Sequence, residues 1–238
     1  MADTSAAPGP IALVGSGEFL PQMVEVDRAL LQGRASRAAF LPTAAGQEGD
    51  ASVQRWLGLG TRHYEAMGVT PVPVPVVQRS DAEDADLVAS VRDVGLVYLS
   101  GGNPGYLVDT LRDSTMWHAI VEAWRGGAAL AGCSAGAMAL TASAPDVRSG
   151  RMAPKAGLGL LGHLAVLPHF DRMHQWDPTA TERTVDAHPG LAVVGIDEDT
   201  ALVGGPHSWT VMGRRTVTVF VDGGRTVHAA GATVTLPS

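Results

Sequence analysis

Gly132-Cys133-Ser134-Ala135-Gly136 has the residue types and spacing of a nucleophile elbow, G-x-S-x-G. In such an elbow a serine sits in a strained turn between a strand and a helix, so small residues must flank it. The surroundings fit: the apolar run Ala128-Ala129-Leu130-Ala131 leads in, and the helix-favouring Ala135-Gly136-Ala137-Met138-Ala139-Leu140 leads out. The Ser134 hydroxyl then projects from a strand end at the start of a helix, where backbone N–H groups favour negative charge. A weak nucleophile is presented to a carbonyl carbon in this way. The same five residues also suit a Gly/Ala-rich turn with an ordinary serine, so the rest of the chain must decide.

A serine nucleophile needs a base and an acid that orients the base. His169 stands just past the apolar run Leu164-Ala165-Val166-Leu167 and Pro168. Asp197-Glu198-Asp199 follows the run Leu191–Ile196, and Ser100-Gly101-Gly102-Asn103 follows Gly95–Leu99. Catalytic and binding groups of an open α/β sheet gather beyond the carboxyl ends of its strands. Ser134, His169, Glu198 and Gly101-Gly102 are therefore expected on one rim. The paired glycines let a backbone N–H come close to a substrate oxygen. Taken singly, each has a plain structural explanation: a core histidine bonded to backbone, a solvated acidic turn, a turn leading into a helix. All four coinciding is the harder accident.

Other motifs lead less far. Gly15-Ser16-Gly17 begins a dinucleotide fingerprint, but Leu20 stands where the third glycine belongs. His169, Asp171, His174 and His163 match no standard zinc spacing, so neither a metal nor a cofactor is expected. Cys133 reads as a small packed neighbour, because the elbow exposes its central residue, Ser134.

The elements that must position these groups alternate. Ile11–Val14 reads as a strand, Pro21 to Leu31 as a helix, Ala38–Leu41 as a strand and residues 50–67 as a helix. Pro71–Val77 alternates proline and valine, which suits an edge strand with its valines inward. Ser80 and Glu83 form a capping box for a helix running to about Arg92. Gly95–Leu99 is a strand, and helix follows between Gly105 and Trp124. This order implies a mostly parallel sheet with helices on both faces. After about residue 190 come Leu191–Ile196, Ala201–Val203, Trp209–Met212, Thr216–Val221 and Thr233–Leu236, separated by turns such as Asp222-Gly223-Gly224. They predict antiparallel strands appended to the sheet. No linker or repeat divides residues 1–238, so one domain is expected, with residues 1–10 flexible.

Composition narrows the function classes. A net charge of -7 without a basic cluster argues against nucleic acid and anionic membrane as partners. The single cysteine excludes an intramolecular disulfide. Residues 1–10 lack a basic start and an apolar run, so they do not read as a secretory signal, and a cytoplasmic location is expected. A homodimer is left open.

Together these pieces resemble the serine peptidases that include dipeptidase E and cyanophycinase, which share the class I glutamine amidotransferase-like fold. The matching stretches are Leu99-Ser100-Gly101-Gly102-Asn103, Gly132–Ala137, Gly157-Leu158-Gly159-Leu160-Leu161, Pro168-His169-Phe170-Asp171 and Gly195–Leu202, in family order. The resemblance implies Ser134 as nucleophile, His169 as general base and Glu198 as third member, with Asp197, Asp199 and Asp146 as other acids for that place. It maps an oxyanion hole to the N–H groups of Gly102 and Ala135 and puts Asn103 among the substrate-binding residues. Cyanophycinases usually carry several arginines after the His-Phe pair. Here Asp171–Pro178 has one arginine and a tryptophan, and Pro168-His169-Phe170 is closer to the dipeptidases. The implied substrate is a small peptide, such as an aspartyl dipeptide, cleaved through an acyl-enzyme. Arg172 would then hold a substrate carboxylate and Glu18 the free α-amine. Two other readings stand beside this one. The first is a non-hydrolytic binding or amidotransferase-like module of the same fold. The second is an α/β-hydrolase esterase using Ser134, Asp186 or Asp197, and His207 or His228.

Overall fold

The computed structural model describes residues 7–146 and 155–237. The chain builds a mostly parallel sheet first. Strands β1 (Ile11–Val14), β2 (Arg37–Leu41), β3 (Thr70–Pro73), β4 (Leu96–Leu99) and β5 (Ala129–Cys133) lie parallel in the order β1-β5-β4-β2-β3. Helices α1 (Val24–Leu31), α2 (Asp50–Ala66), α3 (Ala85–Ser90), α4 (Pro104–Leu111) and α5 (Thr115–Arg125) connect them, and α6 (Ala135–Leu140) follows β5. Strands β1, β4 and β5 are buried along their whole length, which explains their unbroken apolar runs. Successive side chains point to opposite faces. Leu13, Val97, Leu99 and Leu130 feed one core cluster, while Ala12, Val14, Tyr98 and Ala131 feed the other.

The C-terminal strands divide between two sheets. Strands β8 (Thr200–Gly204), β9 (Ser208–Gly213) and β12 (Thr233–Thr235) extend the main sheet antiparallel beyond β1. Strands β6 (Leu164–Leu167), β7 (Ala192–Ile196), β10 (Thr216–Val221) and β11 (Gly224–Ala229) form a second sheet in the order β11-β10-β7-β6. The C-terminal antiparallel strands expected from the sequence are present, and they are shared between the edge of the main sheet and a second sheet. An apolar run shows that a strand exists, but its partner is chosen by non-local packing. Within the second sheet β6 and β7 are parallel, linked by α7 (Phe170–Trp176) and α8 (Ala180–Ala187). The exposed, polar β11 has no apolar run to announce it. It follows from the tight turn Asp222-Gly223, where both residues have positive φ, as a two-residue hairpin of type I′ requires.

Three local expectations also shift. The residue capping α3 is Asp84, whose carboxylate accepts from the N–H groups of Asp86 and Leu87; the Ser80 side chain caps nothing. Glu83 instead accepts from the Thr115 hydroxyl, so the proposed box is split between two helices. The helix expected from Gly105 to Trp124 is two helices, because the Ser114 side chain caps a fresh start at the Trp117 N–H. Residues 1–6 lie outside the described residues, but Gly9 is held: its N–H donates to Trp124 O and its carbonyl accepts from the Trp124 indole. Among the described residues, no helix is long and apolar enough to cross a membrane.

Candidate active site

Ser134 joins β5 to α6 with φ 49° and ψ -105°, a conformation that costs energy in a residue with a side chain. Gly132 before it and Gly136 after it lie so close that a Cβ on Gly132 would stand 2.5 Å from Gly136 backbone. The turn therefore tolerates only these small neighbours. Its hydroxyl oxygen lies 3.0 Å from His169 Nε2. His169 sits just past β6 in the left-handed region, φ 50° and ψ 37°, and its Nδ1 lies 3.1 Å from Glu198 Oε1.

Glu198 occupies the turn between β7 and β8. Of the three adjacent acids it alone meets the imidazole. Asp197 Oδ2 accepts from the N–H and hydroxyl of Thr216, and Asp199 accepts from the Gln22 amide. Asp146 accepts from the Asn103 amide. The Glu198 N–H donates to Asp171 Oδ1 at 2.8 Å, and Asp171 is bound in turn by Arg215. That support, reaching from α7 to the end of β7, carries no sequence signal, because Asp171 and Arg215 are distant in the chain.

Ser134 belongs to the main sheet, whereas His169 and Glu198 belong to the second. The two rims meet at Gly15. Its carbonyl accepts from His169 N–H at 3.4 Å, and a Cβ there would lie 2.1 Å from Asp197 O. The glycines read as the start of a nucleotide fingerprint thus form the seam between the sheets.

Gly102 has φ 140°, and a Cβ there would lie 2.4 Å from Ala44 O, so only glycine fits. Gly102 and Ala135 border the same cavity as Ser134. The neighbouring Gly101 N–H is already committed, donating to Glu18 Oε1 at 2.8 Å.

Three expected substrate contacts are placed differently. Glu18 is 8% exposed, and its second oxygen accepts from the Cys133 thiol at 2.8 Å, so it braces the elbow from beneath instead of facing a substrate amine. Burial, and then the Glu18 carboxylate, push the Cys133 thiol well above its usual value, which keeps it a neutral donor. Asn103 is 2% exposed; its oxygen caps α4 at Gly105 and Tyr106, and its nitrogen donates to Gln47 and Asp146. Arg172 projects from α7 with its Nε 3.5 Å from Glu198 Oε2 and does not line the cavity. Among the other histidines, His207 packs on His163 with ring centroids 5.0 Å apart, and His228 bonds Thr226 on β11. The His174 side chain lies outside what the structure describes.

The cavity beside Ser134 measures about 240 Å³. Met138, Pro145, Leu167, Met173, Trp176 and Ala180 are among its apolar lining residues, and Ser143 and Thr184 line it as well. Trp176, 63% exposed, stands with its ring 5.5 Å from that of His169. Asp177 is on the wall too, its carboxyl lowered to about 2, chiefly by hydrogen bonds from Arg183. Among the described residues no Lys or Arg lines this cavity.

The chain has the fold of a known peptidase. It superposes on the crystal structure of a peptidase from an acI-B1 actinobacterium with a TM-score of 0.89 and 35% identity, covering 98% of both chains. The model of peptidase family S51 matches residues 11–210, and the chain belongs to that family. A cyanophycinase of Nostoc sp. is 31% identical over 170 residues, 66% of this chain. The match spans only 56% of that relative's length. An uncharacterized peptidase of Bacillus subtilis, YgaJ, is 27% identical over 165 residues, 68% of each chain.

Proposed function

We propose that this protein is a serine peptidase that cleaves a peptide or amide bond through Ser134, His169 and Glu198. The observation that carries the reading is the continuous hydrogen-bonded chain from the Ser134 hydroxyl through His169 to Glu198, at 3.0 and 3.1 Å, on a strained elbow. Ser134 Oγ attacks the carbonyl carbon while His169 Nε2 takes its proton. Glu198 holds the imidazole by Nδ1 and stabilises the imidazolium. The N–H groups of Gly102 and Ala135 receive the oxyanion. His169 then gives the proton to the departing amine, and an acyl-enzyme remains on Ser134. Water, deprotonated by His169, releases the acid.

Family membership supports the peptidase reading over a binding module, since members of family S51 are serine-type peptidases. The esterase arrangement has no support in the geometry, because His207 and His228 pair elsewhere. A cavity of about 240 Å³ suits a small peptide, being below the ~300–1,000 Å³ of drug-sized ligand sites.

Ser134→Ala tests the assignment. Hydrolysis should fall by roughly 10³-fold or more with the unfolding temperature preserved. A fluorophosphonate should label wild type at Ser134, and labelling should be lost in His169→Ala. Full activity in Ser134→Ala would remove Ser134 from the mechanism; a folded wild type that is never labelled would favour the binding module.

A further inference from the structure

We propose that the cavity beside Ser134 is a subsite for a neutral, apolar side chain, so that the enzyme selects peptides with an apolar residue next to the scissile bond. This rests on the reading of Ser134 as nucleophile. The cavity adjoins the chemistry: Ser134, Gly102, Ala135 and His169 are among the residues that line it. A substrate whose carbonyl lies at Ser134 therefore places an adjacent side chain against the remaining wall.

That wall is mostly apolar, with Ser143, Asp177 and Thr184 as its polar members. Met138 comes from α6, Leu167 from the end of β6, Met173 and Trp176 from α7 and Ala180 from α8. Met138 and Met173 adapt to differently shaped apolar groups, and the exposed Trp176 adds a broad ring face. Apolar surface of this extent gains by excluding water from a Leu or Phe side chain.

An acidic side chain fares worse. The carboxylate on the wall, Asp177, is already bonded by Arg183 at 2.6 and 3.1 Å and by Thr179. Arg172, the cation that could receive an aspartate, is turned to Glu198 outside the cavity. A substrate carboxylate would be desolvated here with no cation among the described wall residues, and burying an unpaired charge is strongly unfavourable. The described wall therefore suits an apolar side chain better than an aspartate.

The test begins with fluorophosphonate labelling of the full chain, which needs the nucleophile and base but no particular side chain. An untreated aliquot of a preparation shown to label is then assayed on dipeptides carrying Asp, Arg, Gly, Leu or Phe at each position in turn, alongside cyanophycin. At one of the two positions Leu or Phe should exceed Asp by about 10-fold or more in kcat/KM. Thr184→Arg, which sets a cation on the α8 side of the wall, should shrink that Leu-to-Asp ratio by about 10-fold or more. Preference for Asp or Arg, equal rates on all dipeptides, cyanophycin as the best substrate, or no cleavage by a protein that is labelled would each overturn the apolar subsite. An unchanged ratio in Thr184→Arg would also overturn it. A protein that is not labelled would overturn the nucleophile reading first, so the two failures are distinct.

Discussion

Glu18 shows how a single side chain can hold a site without facing it. One carboxylate oxygen accepts from Gly101 N–H and the other from the Cys133 thiol. It therefore ties the loop before Gly102 to the elbow before Ser134, the two segments from which the proposed oxyanion donors come. Without that tie, Gly102 N–H loses its fixed aim. Glu18→Ala should lower kcat by about 10- to 100-fold, since removing an oxyanion donor outright costs ~10²–10³, while KM for a small peptide changes little. Glu18→Gln, whose amide oxygen can still accept from Gly101, should recover part of the loss. A large rise in KM at constant kcat would instead restore Glu18 to the substrate-contact role expected of it.

At the scale of elements, the site is an alignment of two sheets. The main sheet presents Ser134 at the end of β5, and the second presents His169 and Glu198 at the ends of β6 and β7. Their separation is set where β1 ends, at Gly15, against Asp197. A larger residue there must push the β7–β8 turn away, carrying Glu198 with it. Gly15→Val should destabilise the fold by about 1–3 kcal/mol, the usual cost of overpacking. It should also cost roughly 10²-fold in kcat, as ångström-scale misplacement does. Unfolding midpoints and single-turnover rates measured together check this. Stability lost with kcat intact would show that the seam does not position the triad. Every strand that bears a site residue is legible in the sequence, because each is a short, mostly apolar run ending in a turn. The seam itself is hidden: nothing in Gly15-Ser16-Gly17 states that its neighbour is Asp197, far along the chain.

For the molecule as a whole, the two sheets share the larger core cluster. Ile11, Leu13 and Leu130 of the main sheet sit in the same buried cluster as Leu164, Val194 and Val217 of the second. Sheets that share a core lose it together when either unfolds. We therefore expect one cooperative thermal transition, with the calorimetric and van't Hoff enthalpies equal. Two resolved transitions, with fluorophosphonate labelling lost at the lower one, would show that the second sheet is a separate unit.

By itself the chain's sequence determined what local chemistry can encode. Small residues around Ser134 specify a strained turn, apolar runs specify buried strands, and an imidazole and a carboxylate just past strand ends specify groups on a rim. It also singled out Glu198 through resemblance, with Asp197, Asp199 and Asp146 still open. Tertiary structure alone decided which of those acids meets His169, because residues 197 to 199 point in different directions around one turn. It alone split the C-terminal strands between two sheets, since partner choice depends on packing far along the chain. And it turned Glu18, Asn103 and Arg172 away from the cavity, because a polar side chain's role is set by the partners it finds in space, and most of those lie dozens of residues away.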